Sequence, residues 1–278
     1  MQSVILIGGD RRTQYLDRYF QERKFHTYCF GVYAPIDFEA LKNALQMQYV
    51  PLILPLPVSK DGETVSCPLV GESLPFDVLL QFTAEHTVYG GLIPEKLTEL
   101  CLRKGIRAVE YYDEDVILKN AALTAVSTLE VLREHGVDFG KKPNIAVTGF
   151  GRVARAIARE LLSAGVVPTV AARSIEARFE AGKMGCKAIS LYSLRANASS
   201  FDVLVNTVPA PLFSAQELAL TKPTVCIVDV ASAPFGVDFD AARTLGKKAV
   251  KAQSLPGKYA PQAAAEVIGE KLLGLISE

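Results

Sequence analysis

Short apolar runs alternate with amphipathic stretches along the whole chain. Residues 4–7 form a β-branched run, and residues 15–23 follow with apolar positions at helical spacing. The same reading predicts strands at 25–32, 51–56, 77–82 and 106–110, with helices at 37–45 and 95–103 between them. Asp37 stands where the second helix needs an N-cap. Pro55 pushes the end of the 51–56 run out of any central ladder. Residues 60–75, with Gly62, Gly71 and two prolines, read as a loop. Strands and helices alternating at this spacing predict a parallel α/β domain over residues 1–115.

Residues 116–136 are assigned to a connecting helix with apolar positions Val116, Leu123, Val126, Leu129 and Leu132, stopped at His135-Gly136. A second α/β domain, 137–278, is expected to hold strands at 145–148, 168–172, 188–190, 203–206, 225–230 and 248–251, closed by an Ala-rich helix at 261–276. The fold class is therefore two doubly wound parallel-sheet domains. Ligands of such folds sit at the carboxyl ends of strands, here in a cleft between the domains.

The stretch at residues 144–174 carries the sharpest chemistry. A strand runs into Gly149-Phe150-Gly151-Arg152-Val153-Ala154, a G-x-G-x-x-A turn, and then into a helix striped by Val153, Ile157 and Leu161. Gly149 permits the tight turn, Gly151 leaves room for a pyrophosphate, and Ala154 lets helix and sheet close up. The first backbone N–H groups of the helix are left to bind the anion. The second domain is therefore expected to be a Rossmann dinucleotide-binding domain; the alternative is a bare helix–strand packing turn. Where an NAD site usually carries an acid, about 20 residues on, the chain reads Ala171-Ala172-Arg173-Ser174. A guanidinium and a hydroxyl suit a 2′-phosphate, so NADP is the expected cofactor; the alternative is a solvated strand-end arginine.

Composition narrows the function. Thirty basic and thirty acidic residues cancel, with no basic run to draw nucleic acid or an anionic membrane. No apolar stretch approaches a membrane span, and the first ten residues lack the regions of a signal peptide. Five scattered cysteines without a C-x-x-C pair read as buried thiols in a reducing cytoplasm. With three unclustered histidines, no metal site is expected.

The strand-end loops supply the remaining candidates. Asn206-Thr207-Val208-Pro209 places amide and hydroxyl donors where the nicotinamide end belongs, or is an ordinary capped turn. Gly8-Gly9-Asp10-Arg11-Arg12 suits an anionic substrate, or is an N-cap followed by solvated arginines. Pro57-Val58-Ser59 is a third such loop, and His86 a candidate proton carrier more simply read as a loop residue. No residue is assigned as the proton acceptor.

In order along the chain stand Ile7-Gly8-Gly9-Asp10 with Arg12, Pro57-Val58-Ser59, Asp115 with Asn120 and Thr124, Gly149-x-Gly151-Arg152, Ala172-Arg173-Ser174, Asn206-Thr207-x-Pro209, Asp229-x-Ala231-Ser232-x-Pro234 and Leu255-Pro256-Gly257. In these pieces and their order the chain resembles the A-subunit family of dipicolinate synthase. The resemblance implies NADP-dependent oxidation of a dihydrodipicolinate to pyridine-2,6-dicarboxylate during sporulation, in the mother-cell cytoplasm. It implies as partner the flavoprotein-like B-subunit of the synthase. The substrate's carboxylates are expected between Arg12 and Ser59 of the first domain and Asn120, Thr124 and Ser232, which sit just after strands or on the connecting helix. Residues 149–153, Arg173, Ser174 and residues 206–208 are assigned to the cofactor. Homo-oligomer formation is left open. Three places depart from the family pattern. Ala125-Val126-Ser127 replaces a Glu-Gly pair, Ala233 and Phe235 replace an Arg and a Gly, and Gln262-Ala263 replaces Lys-Thr. A non-catalytic NADP-binding homologue, or an oxidoreductase of another small acid, is therefore the alternative.

Overall fold

The computed structural model describes residues 2–81 and 86–277. In chain order the elements up to the connecting helix are β1 (Ser3–Ile7), α1 (Arg11–Glu22), β2 (His26–Phe30), α2 (Phe38–Leu45), β3 (Leu52–Ile53), β4 (Thr64–Cys67), β5 (Glu72–Pro75), α3 (Phe76–Leu79), β6 (Thr87–Gly90), α4 (Glu95–Arg103), β7 (Arg107–Glu110) and α5 (Glu114–Glu134). Then follow β8 (Ile145–Thr148), α6 (Arg152–Ser163), β9 (Thr169–Ala171), α7 (Ile175–Lys183), β10 (Lys187–Ile189), α8 (Leu191–Ala196), β11 (Val203–Asn206), α9 (Ala215–Ala219), β12 (Cys226–Asp229), α10 (Phe239–Thr244), β13 (Lys248–Lys251), α11 (Leu255–Tyr259) and α12 (Pro261–Ser277). Two compact units result, one of residues 1–120 with 260–278 and one of residues 121–259, so the division falls inside α5.

The first unit is built on a five-stranded parallel sheet ordered β2-β1-β3-β6-β7, the flavodoxin-like doubly wound order with its switch point between β1 and β3. β1 is buried on both faces from Val4 to Ile7, as the apolar run requires of a central parallel strand. Asp37 caps α2 by accepting from the amides of Glu39 and Ala40. Three expectations change. The run at 77–82 does not pair as a strand: Phe76–Leu79 is a short helix, and residues 82–85 lie outside the described residues. The β-branched Thr87–Gly90 takes the ladder place instead, because an apolar run that short satisfies helix and strand alike. The expected loop at 60–75 contains an antiparallel hairpin, β4 with β5.

The third change concerns α12, expected to close the second domain. It packs on α1 in the first unit, burying Ala265, Ile268 and Leu272 with Leu16, Tyr19 and Phe20. Gly269 makes the close approach, since a Cβ there would lie 2.4 Å from the Tyr19 ring. Lys271 pairs with Asp113 at 2.8 Å and fixes the same docking at the start of α5.

The second unit is a six-stranded parallel sheet ordered β10-β9-β8-β11-β12-β13, the dinucleotide-binding order. β8, β11 and β12 are buried throughout, and Ala154, Ile157 and Leu161 carry α6 onto them. At the end of α5, Gly136 turns left-handed at φ +86° and Val137 returns its amide to the Leu132 carbonyl, as the His-Gly stop signal predicts.

Candidate functional site

The G-x-G-x-x-A turn lies at the carboxyl end of β8, in the middle of the second unit's sheet. Gly149 is left-handed at φ +82°, and a Cβ there would sit 2.9 Å from the Thr207 hydroxyl and 3.0 Å from Val208. A side chain at this position would displace the loop after β11. Gly151 is the N-cap of α6 and brings no side-chain cap to the first turn; a Cβ added to it would meet nothing within 4 Å. The space beside Gly151 at the start of α6 is open, as an anion cradle needs. Arg152 is exposed and Val153 half-buried. The Phe150 side chain is buried, so only its backbone is available to a ligand; Arg155 covers its ring at 4.4 Å and donates from Nε to the Phe150 carbonyl at 3.0 Å.

Thr148, Asn206 and Asp229 end three adjacent strands and stand in register with one another. Each is 0% exposed, and their side chains form one chain of hydrogen bonds. The Thr148 hydroxyl donates to Asn206 Oδ1 at 2.6 Å, and Asn206 Nδ2 donates to Asp229 Oδ1 at 2.8 Å and to the Val208 carbonyl at 3.0 Å. Asp229 accepts three more bonds, from the amides of Ala231 at 3.0 Å, Gly236 at 2.8 Å and Val237 at 3.0 Å. A buried carboxylate is costly unless its lone pairs are filled, and here four donors fill them. The network ties down both flanking loops. Thr207 adds a bond from its hydroxyl to the Thr148 carbonyl at 2.7 Å, and the Val208 amide reaches Asn206 Oδ1 at 3.2 Å.

Asn206, expected to donate to a cofactor, is therefore buried and holds the loop instead. Thr207 and Val208 stay half-buried at its edge. Asp229 stands in a quoted motif without a role of its own, and Thr148 is not among the sequence candidates; the signal was there in that each is a polar residue ending an apolar run.

At the end of β9, Arg173 is exposed and Ser174 is the N-cap of α7, accepting from the Ala177 amide at 3.1 Å. Arg178, one turn into α7, folds back and donates from Nη1 to the carbonyls of Ala172 at 2.9 Å and Arg173 at 2.6 Å. Sequence reasoning missed it because nothing in the spacing shows a side chain returning to the strand end.

In the first unit, Asp10 caps α1 through the Arg12 amide at 3.0 Å. The Arg12 guanidinium then forks onto the Asp10 carboxylate, Nε at 2.9 Å and Nη2 at 2.8 Å, and Nη2 also donates to the Leu56 carbonyl. Arg12 thus ties the loop after β1 to the loop after β3 at the switch point. Its side chain is only 12% exposed, so it is not a solvated arginine. The Ser59 hydroxyl stands in a turn, donating to Asp61 at 2.8 Å and accepting from the Gly62 amide at 2.9 Å, which leaves it one further lone pair. Hydrogen bonds from the amide of Glu63, the hydroxyl and amide of Thr64, and Ser59 hold the Asp61 carboxyl below the usual carboxylate range. Asn120 donates to the Tyr112 hydroxyl at 3.4 Å, Thr124 is buried in α5, and Ser232 is exposed after β12.

His86 is no loop proton carrier. It is buried, with Nδ1 at 2.7 Å from the Val50 carbonyl and Nε2 at 2.9 Å from the Leu45 carbonyl. Burial pushes the Cys67 thiol up to about 11, which withholds a thiolate nucleophile there. A cavity of about 540 Å³ in the first unit, lined by Gln2, Ser3, Tyr49, Tyr89 and Arg107 among others, opens at the amino ends of the strands, away from the end where doubly wound sheets bind ligands. Among the described residues no three His, Cys, Asp or Glu gather into a metal-binding group, and no helix is long and apolar enough to cross a membrane.

Residues 3–112 match the N-terminal domain family of the dipicolinate synthase A-subunit. The A-subunit of dipicolinate synthase from Bacillus subtilis is 26% identical over 285 residues, spanning 99% of this chain and 96% of that protein. The crystal structure of that Bacillus subtilis protein aligns with a TM-score of 0.80 at 25% identity, covering 99% of this chain and 97% of that one. Along nearly its whole length the chain resembles the dipicolinate synthase A-subunit. The Bacillus halodurans A-subunit shares the fold with a TM-score of 0.80 at 23% identity, covering 100% and 98% of the two chains.

Against the pattern of this dipicolinate synthase family, the departures now have positions. Phe235, in the place of a glycine, is left-handed at φ +69°, a conformation glycine adopts freely; Lys251 Nζ lies 3.9 Å over its ring. Ala233 is exposed. Ser127, in the segment that replaces Glu-Gly, is buried, and its hydroxyl is without a hydrogen-bond partner among the described residues. Gln262 donates to Glu266 at 3.1 Å on α12.

Proposed function

We propose that the chain oxidises a dihydrodipicolinate to dipicolinate with NADP as hydride acceptor, working with a flavoprotein-like second subunit in the mother-cell cytoplasm of a spore-former. One observation carries the reading. In a chain that resembles the dipicolinate synthase A-subunit, a G-x-G-x-x-A turn opens a helix at the head of a β10-β9-β8-β11-β12-β13 sheet, and its second glycine faces open space.

The residues present fit a dinucleotide. The first amides of α6, at Arg152 and Val153, are proposed to hold the diphosphate, with Gly151 leaving room for it. Arg173 and Ser174 are assigned to the 2′-phosphate, and the carboxylate chain under Thr207 and Val208 fixes the loop assigned to the nicotinamide end. When bound, the nicotinamide supplies a hydride acceptor. Loss of a hydride and a proton makes the dihydropyridine ring aromatic, so the chain has chiefly to orient the ring and fix its carboxylates. Arg12 is the proposed carboxylate contact of the first unit, through Nη1, which has no partner among the described residues. Ser59 and Asn120 in that unit, and Thr124 and Ser232 in the other, are proposed to serve the substrate's polar groups.

A second reading, a cofactor-binding homologue without turnover, is favoured by the use of Nε and Nη2 of Arg12 inside the protein and by Ala233 in the place of a cation. A coupled assay separates the two. The full chain, alone and with the second subunit, is given NADP and freshly generated dihydrodipicolinate, and NADPH is followed by absorbance. Formation of NADPH supports the first reading; tight NADPH binding without turnover overturns it for the second, or for an oxidoreductase of another small acid.

A further inference from the structure

We infer that Arg178 decides the choice between NADP and NAD; the inference rests on the NADP reading above and concerns the same strand end. The end of β9 is where a dinucleotide fold of the NAD type offers an acceptor to the ribose 2′-hydroxyl. Here the acceptors are already taken. Nη1 of Arg178 donates to the carbonyls of both Ala172 and Arg173, at 2.9 and 2.6 Å, and Ser174 Oγ accepts the Ala177 amide at 3.1 Å. Of the acids on α7, Glu180 pairs with Lys183 at 3.2 Å, and Glu176 is exposed in the first turn. What the strand end presents to a ligand is therefore donors: the Ser174 hydroxyl hydrogen, the exposed Arg173 and the remaining face of Arg178. Nε and Nη2 of Arg178 have no hydrogen-bond partner among the described residues.

That arrangement works in two directions. A bare 2′-hydroxyl meets donors and a positive charge where it needs an acceptor, while a 2′-phosphate meets the charge and fork it needs. Arg173 supplies charge as well, yet its exposed side chain loses rotamer freedom on binding. Arg178 is held by two backbone bonds before any ligand arrives, so less is lost per bond formed. Arg178 is thus the stronger determinant of the pair.

The test uses the full chain and two fragments without nicotinamide, adenosine 2′,5′-bisphosphate and 5′-AMP, titrated by calorimetry. Wild type is expected to bind the bisphosphate at least about tenfold more tightly, the scale of one charge-assisted contact. Arg178→Gln and Arg178→Ala should lose most of that ratio with little change in 5′-AMP affinity, and Arg178→Lys should keep more of it than Arg178→Gln. Thermal melts confirm that each variant is folded, and Arg178→Gln decides the case if Arg178→Ala is not. A ratio preserved within about twofold in the folded neutral variant overturns the inference and leaves the NADP reading standing. A wild type that binds the two fragments equally overturns both.

Discussion

Asn206 donates its side-chain amide to Asp229 at 2.8 Å across the β11–β12 pair, with both groups wholly buried and no cation bonded to the carboxylate among the described residues. The carboxylate also collects the amides of Ala231, Gly236 and Val237. One side chain therefore fixes the loop after its own strand and, through Asn206, the loop after the neighbouring strand.

Asp229→Ala leaves the three loop amides and one N–H of Asn206 buried without an acceptor. Bonds to a charged group contribute about 1.5–3 kcal/mol each, so a loss of at least about 3 kcal/mol is expected. Asp229→Asn keeps the shape but supplies one acceptor oxygen, and should lose about 2 kcal/mol. Urea unfolding of the three proteins measures it; an Asp229→Ala variant as stable as wild type would show that the loops find other partners.

The two glycines of the turn should separate fold from binding. Gly149→Ala puts a Cβ into the Thr207 hydroxyl at a left-handed backbone, and should destabilise by about 1–2 kcal/mol. Gly151→Ala, at φ −77° with open space around it, should leave stability within about 0.5 kcal/mol while filling the space above α6. NADPH affinity should then fall about tenfold or more in a fully folded protein. Unchanged binding by Gly151→Ala would remove the diphosphate from this turn.

Ser127 offers a stabilising change. Its buried hydroxyl has no partner among the described residues, so Ser127→Ala removes an unmet polar group at nearly the same size and in the better helix former. A gain of about 1 kcal/mol in denaturant unfolding is expected. A loss instead would mean that the hydroxyl is satisfied in solution.

Acid should weaken the second unit through Asp202. A hydrogen bond from Lys222 at 2.6 Å, then one from the Asn144 amide at 2.8 Å, lower its pKa below the usual carboxylate value. A depressed pKa means the unfolded chain binds the proton first. Its contribution is complete above the unfolded value, near about pH 4, and is lost as pH falls through the lower folded value. Asp113 should act with the same sign in the first unit, its pKa lowered first by Lys271 and then by the Val116 amide. Melting temperatures from about pH 7 down to about pH 3 test this. Asp202→Asn should flatten part of the acid limb, and an unchanged limb would show that the ion pair contributes nothing.

Much of this protein could be read from local pattern, because the forces that set those features act within a turn or two of chain. The G-x-G-x-x-A turn, the Asp37 cap and the Gly136 stop depend on neighbouring residues, and they stand in the structure where the spacing puts them. Apolar periodicity shows that a face is buried but not what covers it. α12 could be read as a helix, yet only packing decided that Gly269 meets Tyr19 of α1, in the first unit. The short apolar run at 77–82 reads as a strand, yet it is 87–90 that finds a neighbouring ladder. The candidate site divides the same way. The turn at residues 149–153 was legible because its geometry is backbone geometry at fixed spacing. Asn206, Arg12 and Arg178 were not, since the partners of a long polar side chain are chosen by register and loop closure. The strand register places Asp229 beside Asn206, loop closure brings the Leu56 carbonyl to Arg12, and a helix turn carries Arg178 back to the end of β9.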